Sequence, residues 1–481
     1  MKKLISLIII IITLSFPITA QEHGGKYVPE TDPLVLEKLQ KWQDLKFGLL
    51  MHWGPYSQWG VVESWSICSE DEGWCVRRID DYEKYKKEYE GLKNTFNPTK
   101  FNPAKWSKAA KDAGMKYVVF TTKHHDGFCM FNTALTDYRV TDKECLFNTN
   151  PKSNIAKEIF NAFRNEGLWT GAYFSKPDWH SPYYWWPNFA TPDRNVNYDI
   201  KKYPERWQKF VEYTHGQIDE LMSNYGKMDI LWLDGGWVAP MTDEEIREAV
   251  NSSGYKYQRY QNQDINMAEL ARKAREKQPG LIVVDRAVPG KFQNYLTPEN
   301  TVPEKMLPYP WESCIISGGG WSWVPNAQYR SARSVVHMLV DIVSKGGNLL
   351  LNIAPSPEGT WDDKAYLLLK DVGNWMQVNS EAIYNSRPIA PYKEGKTCIT
   401  SGKDGAWYVI YLADETEKGV PSKIWLSALQ PKDGAKMKML GSDGDLKWEK
   451  VGTGFTIEIP ESLQKKPPCE YAWTFKITGG K

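Results

Sequence analysis

Short, largely apolar runs recur along the first three quarters of the chain, each with a polar or charged residue at or next to its end. They lie at residues 47–52 (FGLLMH), 117–122 (YVVFTT), 168–175 (LWTGAYFS), 229–233 (DILWL), 281–285 (LIVVD) and 349–353 (LLLNI). Runs this short and this continuous predict strands buried on both faces rather than helices. Helical spacing fills the intervals. Asn102, Pro103 and Gly114 bracket one helix as N-cap, first turn and exit, and further helices are predicted at 154–166, 204–224, 265–276, 329–344 and 363–378. Strand alternating with helix implies parallel strands joined by crossovers, and this many units predict a closed α/β (β/α)8-like TIM barrel. Residues 314–317 are a short seventh strand candidate, and no eighth is visible.

Beyond Pro388 the pattern changes to short β-type runs between Gly, Asp and Pro turns, at 407–412, 423–426, 436–440, 455–459 and 471–477. They predict a C-terminal antiparallel β-sandwich that supports the barrel. The expected organisation is a leader at 1–20, a barrel at 21–388 and a sandwich at 389–481. The leader, MKKLISLIIIIITLSFPITA, has a basic start, an apolar run and small residues ending at Ala20, the pattern of a secretory signal peptide. Its apolar stretch is shorter than the ~20 residues of a spanning helix, so export to a periplasmic or extracellular space is expected, without membrane insertion.

The polar residues at the strand ends are the candidate chemistry. His52, His124, His125, Asp178, Asp234, Arg286 and Asn352 all fall at or just beyond a predicted C-terminal strand end, the catalytic face of a barrel. Asp234 closes the run KMDILWLDGGWV, where Gly235 and Gly236 allow a sharp turn and open space before the carboxylate. Taken alone, Asp234 reads better as a cap of the next helix. A second carboxylate is sought in the connection carrying Glu299, Glu304 and Glu312. Glu299 lies on a loop able to cover the mouth of the site; Glu312, beside Trp311, fits a structural position at a strand start.

Charge narrows the ligand. Sixty Lys and Arg against 59 Asp and Glu give a net charge of +1 in 481 residues, which speaks against nucleic acid and for a neutral substrate. The 22 Trp and 26 Tyr supply flat apolar faces with polar tips, suited to sugar rings. Seven cysteines leave at least one unpaired within a monomer, and Cys68 and Cys75 are spaced to bridge across a loop. Adjacent His124 and His125 would point to opposite faces of an extended backbone, so no metal and no other cofactor is expected. Neither a GxSxG elbow nor a phosphate-binding loop is present. A homo-oligomer is compatible with the sequence.

Several blocks together spell out a family. FGLLMHWGPYS from Phe47, FNPAKWSKAAKDAGMKYVVFTTKHHDGF from Phe101, GAYFSKPDW from Gly171, DILWLDGGW from Asp229, VDRA from Val284, TPE from Thr297, PWESC from Pro310 and SKGGNLLLNIAPSPEG from Ser344 follow one another in order. In these the chain resembles the retaining α-L-fucosidases of glycoside hydrolase family 29. The resemblance implies hydrolysis of terminal α-L-fucose from a fucosylated oligosaccharide or glycoconjugate by double displacement. Asp234 would be the nucleophile and Glu299 the general acid/base. His52, His124, His125, Trp65, Glu63, Tyr173, Trp232, Arg286 and Trp321 would form the substrate pocket, with Arg286 beside the nucleophile. The chain departs from the common Glu-Trp-Tyr after the first strand, having Glu63, Ser64 and Trp65, and residues 250–264 look inserted. Competing readings are an α-L-galactosidase on the same scaffold and a carbohydrate-binding protein without catalysis. Trp179, Trp185 and Trp186 are either core or lid packing or a platform for the leaving group.

Overall fold

The computed structural model describes residues 27–68, 77–191, 193–252, 259–417 and 419–479. The predicted leader and Cys75, one half of the expected bridge, lie outside them. Seven parallel strands form the first sheet: β1 (Phe47–Met51), β2 (Tyr117–Lys123), β3 (Trp169–Ser175), β4 (Ile230–Asp234), β5 (Ile282–Asp285), β6 (Glu312–Ile316) and β7 (Asn348–Asn352), in the order β5-β4-β3-β2-β1-β7-β6. The continuous apolar runs have a direct cause. Leu50, Tyr117, Val119, Tyr173, Trp232 and Val284 point into the barrel, while Leu49, Met51, Val118, Leu231 and Val283 face the surrounding helices. Both faces of the strand centres are therefore apolar, and the polar residues gather towards the strand ends.

The two sheet edges, β5 and β6, are spanned by residues 292–300 rather than by an eighth regular strand. Asn294 N–H donates to Val283 O at 3.1 Å and Asp285 N–H to Phe292 O at 2.9 Å, an antiparallel contact with β5. The segment then runs parallel to β6, with Glu312 N–H on Leu296 O at 2.8 Å, Cys314 N–H on Pro298 O at 3.1 Å and Asn300 N–H on Cys314 O at 2.9 Å. Pro298 and the reversal of direction remove the alternation that marks a strand, which is why no eighth was legible. Glu299 rides on this closing segment.

The first predicted helix has the expected boundaries, whereas those expected at 329–344 and 363–378 run over Ala332–Ser344 and Asp363–Ile383. Pro103–Asp112 is capped by the Asn102 side chain, which accepts from Lys105 N–H, and Gly114 exits with φ 91°. The second unit contains β8 (Arg387–Glu394), β9 (Thr397–Ser401), β10 (Trp407–Leu412), β11 (Lys423–Leu426), β12 (Lys436–Met439), β13 (Trp448–Val451), β14 (Gly454–Glu458) and β15 (Ala472–Thr478). They form antiparallel sheets in the orders β12-β15-β10-β9-β8 and β11-β14-β13, with a shared apolar core. Of these, β8, β9 and β13 were not anticipated; β8 and β13 are rich in charged or half-exposed residues and carry little apolar signal. The sandwich is tied to the barrel by Trp375 Nε1–H on Ala472 O at 2.9 Å and by His337 Nε2 at 2.9 Å from Tyr471 O. Among the described residues, no helix is long and apolar enough to cross a membrane.

Candidate active site

Asp234 ends β4 with both carboxylate oxygens engaged. Tyr173, two positions below the β3 residue paired with Asp234, reaches up to donate its hydroxyl to Oδ2 at 2.6 Å. Gly235 N–H donates to Oδ1 at 2.8 Å, and Arg286, just past β5, donates from Nη1 to Oδ1 at 3.0 Å. His125 Nε2 lies 3.9 Å from Oδ2. Burial alone would raise this carboxyl, but Arg286, His125, Tyr173 and the Gly235 N–H outweigh it and hold Asp234 far below the usual carboxylate range. These contacts favour its ionised form. The glycines behind it are needed for close packing rather than open space: a Cβ on Gly235, at φ 88°, would meet Pro177 Cδ at 2.3 Å, and one on Gly236 would meet Ala287 Cβ at 2.8 Å.

Arg286 also binds Glu299 through Nη2, so one guanidinium joins the two expected catalytic carboxylates. The second oxygen of Glu299 accepts from Trp321 Nε1–H at 3.1 Å. Glu299 is the more exposed of the two acids, at 41% of its side chain against 15% for Asp234. Glu312, by contrast, begins β6 deep in the barrel and accepts from the Tyr117 hydroxyl.

The three histidines converge. His52 follows β1, with its ring 5.7 Å from that of His124 and 5.2 Å from those of Tyr173 and Trp321. The expectation that His124 and His125 diverge is corrected: their ring centroids are 4.2 Å apart, and both face the site. β2 ends at Lys123, and Gly127 N–H closes a turn on His124 O at 3.0 Å, so strand alternation no longer applies. His124, His125 and Asp234 therefore form a group whose ligand atoms lie within 4.8 Å of one another. Asp234 already accepts three hydrogen bonds, one of them from the Arg286 cation; this surrounding suits a hydroxylated ligand better than a metal ion. Burial keeps the rings neutral, pushing His52 down to about 4, His125 to about 3 and His124 well below its ordinary value.

Glu63, Ser64 and Trp65 enter on a short 3-10 turn, Glu63–Ile67, whose first residue has φ 27°. Glu63 is buried and accepts from Ser322 N–H at 2.6 Å. Desolvation, with Glu299 and Asp234 adding to it, raises its carboxyl to about 8 despite that bond. Trp65 lies 5.2 Å from His125 and 5.8 Å from Trp237. Trp237, in the same DILWLDGGW block, is a site neighbour absent from the expected set; its position three residues past Asp234 was the available signal. Trp232 lies beneath the pocket, stacked at 5.2 Å on Tyr173 and 5.4 Å below the Arg286 guanidinium, as floor rather than wall. Asp178 is held behind the site by Lys123 at 3.1 Å, Tyr213 at 3.0 Å and two backbone N–H groups. Trp179 and Trp185 stack in the core at 5.2 Å, while Trp186 packs under Arg206.

Comparison with known proteins adds to this geometry. A tissue alpha-L-fucosidase from Bos taurus is 29% identical over 479 residues, covering 95% of this chain and 92% of its own. Among solved structures, alpha-L-fucosidase isoenzyme 1 from Paenibacillus thiaminolyticus gives a TM-score of 0.71 at 29% identity, covering 92% of this chain and 99% of its own. The Thermotoga maritima alpha-fucosidase in complex with fucose gives 0.69 at 25% identity, covering 94% and 100%. The profile of the family described as Alpha-L-fucosidase matches residues 14–381, and that of the Alpha-L-fucosidase C-terminal domain matches residues 400–478. The chain belongs to the α-L-fucosidase family, glycoside hydrolase family 29.

Proposed function

We propose that this chain is a retaining exo-α-L-fucosidase in which Asp234 is the nucleophile and Glu299 the general acid/base. The observation that carries the assignment is the shared guanidinium: Arg286 bonds to Asp234 and Glu299 at once, with Asp234 kept ionised from below and Glu299 exposed at the mouth. A nucleophilic carboxylate must stay charged in a buried site, and an acid/base must exchange protons with water. The two environments supply that difference.

In the reaction, Asp234 attacks the anomeric carbon as the C–O bond to the leaving group breaks and Glu299 delivers its proton to the departing oxygen. Glu299 then takes a proton from water, which attacks the fucosyl ester and releases α-L-fucose with Asp234 restored. The His52, His124 and His125 rings hold ring hydroxyls, and the apolar face of Trp321 suits the methyl group of the sugar. The leader at 1–20 would export the enzyme to a periplasmic or extracellular space. The barrel at 21–388 would carry the chemistry, with 389–481 supporting it. Release of nitrophenol from the α-L-fucoside, run beside the α-L-galactoside and β-D-galactoside, tests the substrate. Preference for the fucoside supports the proposal, while equal or faster turnover of the α-L-galactoside overturns it.

A further inference from the structure

We infer that Ser64 and Asn352 are positioning residues that hold His124 and His52 in opposite neutral tautomers, so that the pocket offers one imidazole donor and one imidazole acceptor to the hydroxyls of its ligand. The inference rests on the sugar-binding reading of this site and adds what each ring nitrogen does.

The Asn352 amide has only one consistent orientation. Its Nδ2 donates to Trp321 O at 2.8 Å, with Gly320 O at 3.5 Å, and a flipped amide would set oxygen against oxygen there. Oδ1 therefore faces His52 Nδ1 at 3.0 Å, and an amide oxygen can only accept. His52 carries its proton on Nδ1, leaving Nε2 as a lone-pair acceptor.

Ser64 imposes the reverse on His124. Its Oγ accepts from Asp126 N–H at 2.8 Å and lies 2.6 Å from His124 Nδ1. Ser64 is fully buried. Were Nδ1 the donor, the serine proton would have no acceptor in a dry site, at a cost of about 1–3 kcal/mol. The serine hydroxyl donates instead. His124 Nδ1 is then the acceptor, and its proton resides on Nε2, facing the site.

Both rings are neutral because burial disfavours the imidazolium, so tautomer rather than charge defines what they present. The ring centroids lie 5.7 Å apart, and a hydroxyl that reaches both Nε2 atoms would accept from His124 and donate to His52. Two rings protonated on Nδ1 would set two acceptors against a single hydroxyl proton, and two Nε2–H donors would leave that proton without a partner on either ring.

The test is long-range proton–nitrogen NMR on the full chain labelled with nitrogen-15 histidine at neutral pH, with His52→Gln and His124→Gln variants to assign the two rings. Protonated Nδ1 for His52 and protonated Nε2 for His124 are expected; the same tautomer in both, or a charged ring in either, overturns the inference. Ser64→Ala is expected to shift His124 toward the Nδ1–H form without altering His52, and Ser64→Thr to restore the original signal. An unchanged His124 signal in Ser64→Ala would show that the serine does not set the tautomer. With the fucoside, Ser64→Ala should lose about tenfold in kcat/KM, the equivalent of one neutral hydrogen bond. The NMR signals need no turnover, so an inactive enzyme with the expected tautomers would count against the proposed activity and leave the positioning roles standing.

Discussion

The Tyr173 hydroxyl donates to Asp234 Oδ2 at 2.6 Å from the neighbouring strand. Parallel pairing of Tyr173 with Trp232 puts the tyrosine two residues lower, and only a side chain of its length spans the gap. The bond directs one oxygen of the proposed nucleophile and helps to keep it ionised.

Tyr173→Phe should therefore keep the ring packing on Trp232 and His124 while removing the donor. A hydrogen bond to a charged group contributes about 1.5–3 kcal/mol, so kcat/KM on the nitrophenyl fucoside is expected to fall by roughly ten- to a hundredfold. Steady-state kinetics beside a thermal melt provide the check. Unchanged kcat/KM in a folded Phe variant would remove Tyr173 from the working parts of the site.

Glu312 offers a pH prediction away from the chemistry. Burial raises its carboxyl to about 7, against 4.5 for an ordinary glutamate, despite the Tyr117 hydrogen bond. Between those values the folded protein retains a proton that the unfolded chain has released, so this residue's contribution to stability falls as pH rises from about 4.5 to 7 and then levels off. Glu312→Gln cannot ionise. Relative to wild type it should gain stability across that window, by at most ~3 kcal/mol at pH 8, as measured by denaturant unfolding at pH 5 and pH 8. A difference between the two proteins that does not change with pH would contradict the assignment.

Asp178 was singled out in the sequence with the other strand-end residues, yet its oxygens serve Lys123, Tyr213, His180 N–H and Ser181 N–H, all behind the pocket. Asp178→Ala leaves a buried lysine without its carboxylate, and such truncations cost about 3–5 kcal/mol. Chemical denaturation should show that loss. A variant as stable as wild type would mean that the Lys123 charge finds another partner.

These residues show what patterning can and cannot give. The strands of the barrel were legible because both faces of each are buried, leaving unbroken apolar runs, and the residues at their ends followed from the parallel topology. Residues 292–300 were not, since they pair first antiparallel and then parallel around Pro298. The orientation of His124 and His125 was misjudged by extending the two-residue period one step past the end of β2. Ser64 sits 60 residues from the histidine it contacts, and Asn352 300 from His52, so their roles exist only in three dimensions. Packing and platform both stayed open for Trp179 and Trp185 in the sequence, because aromatic composition does not distinguish a buried stack from an exposed one; the structure buries both.

The most direct test of the central claim is the stereochemistry of azide rescue in two variants. In Asp234→Gly, azide takes the vacated place of the nucleophile and should give the inverted β-L-fucosyl azide. In Glu299→Ala, given an activated fucoside, azide intercepts the enzyme ester from the opposite face and should give the retained α-L-fucosyl azide. Wild-type turnover in Asp234→Gly, or the β-azide from Glu299→Ala, would contradict the assignment of the two carboxylates.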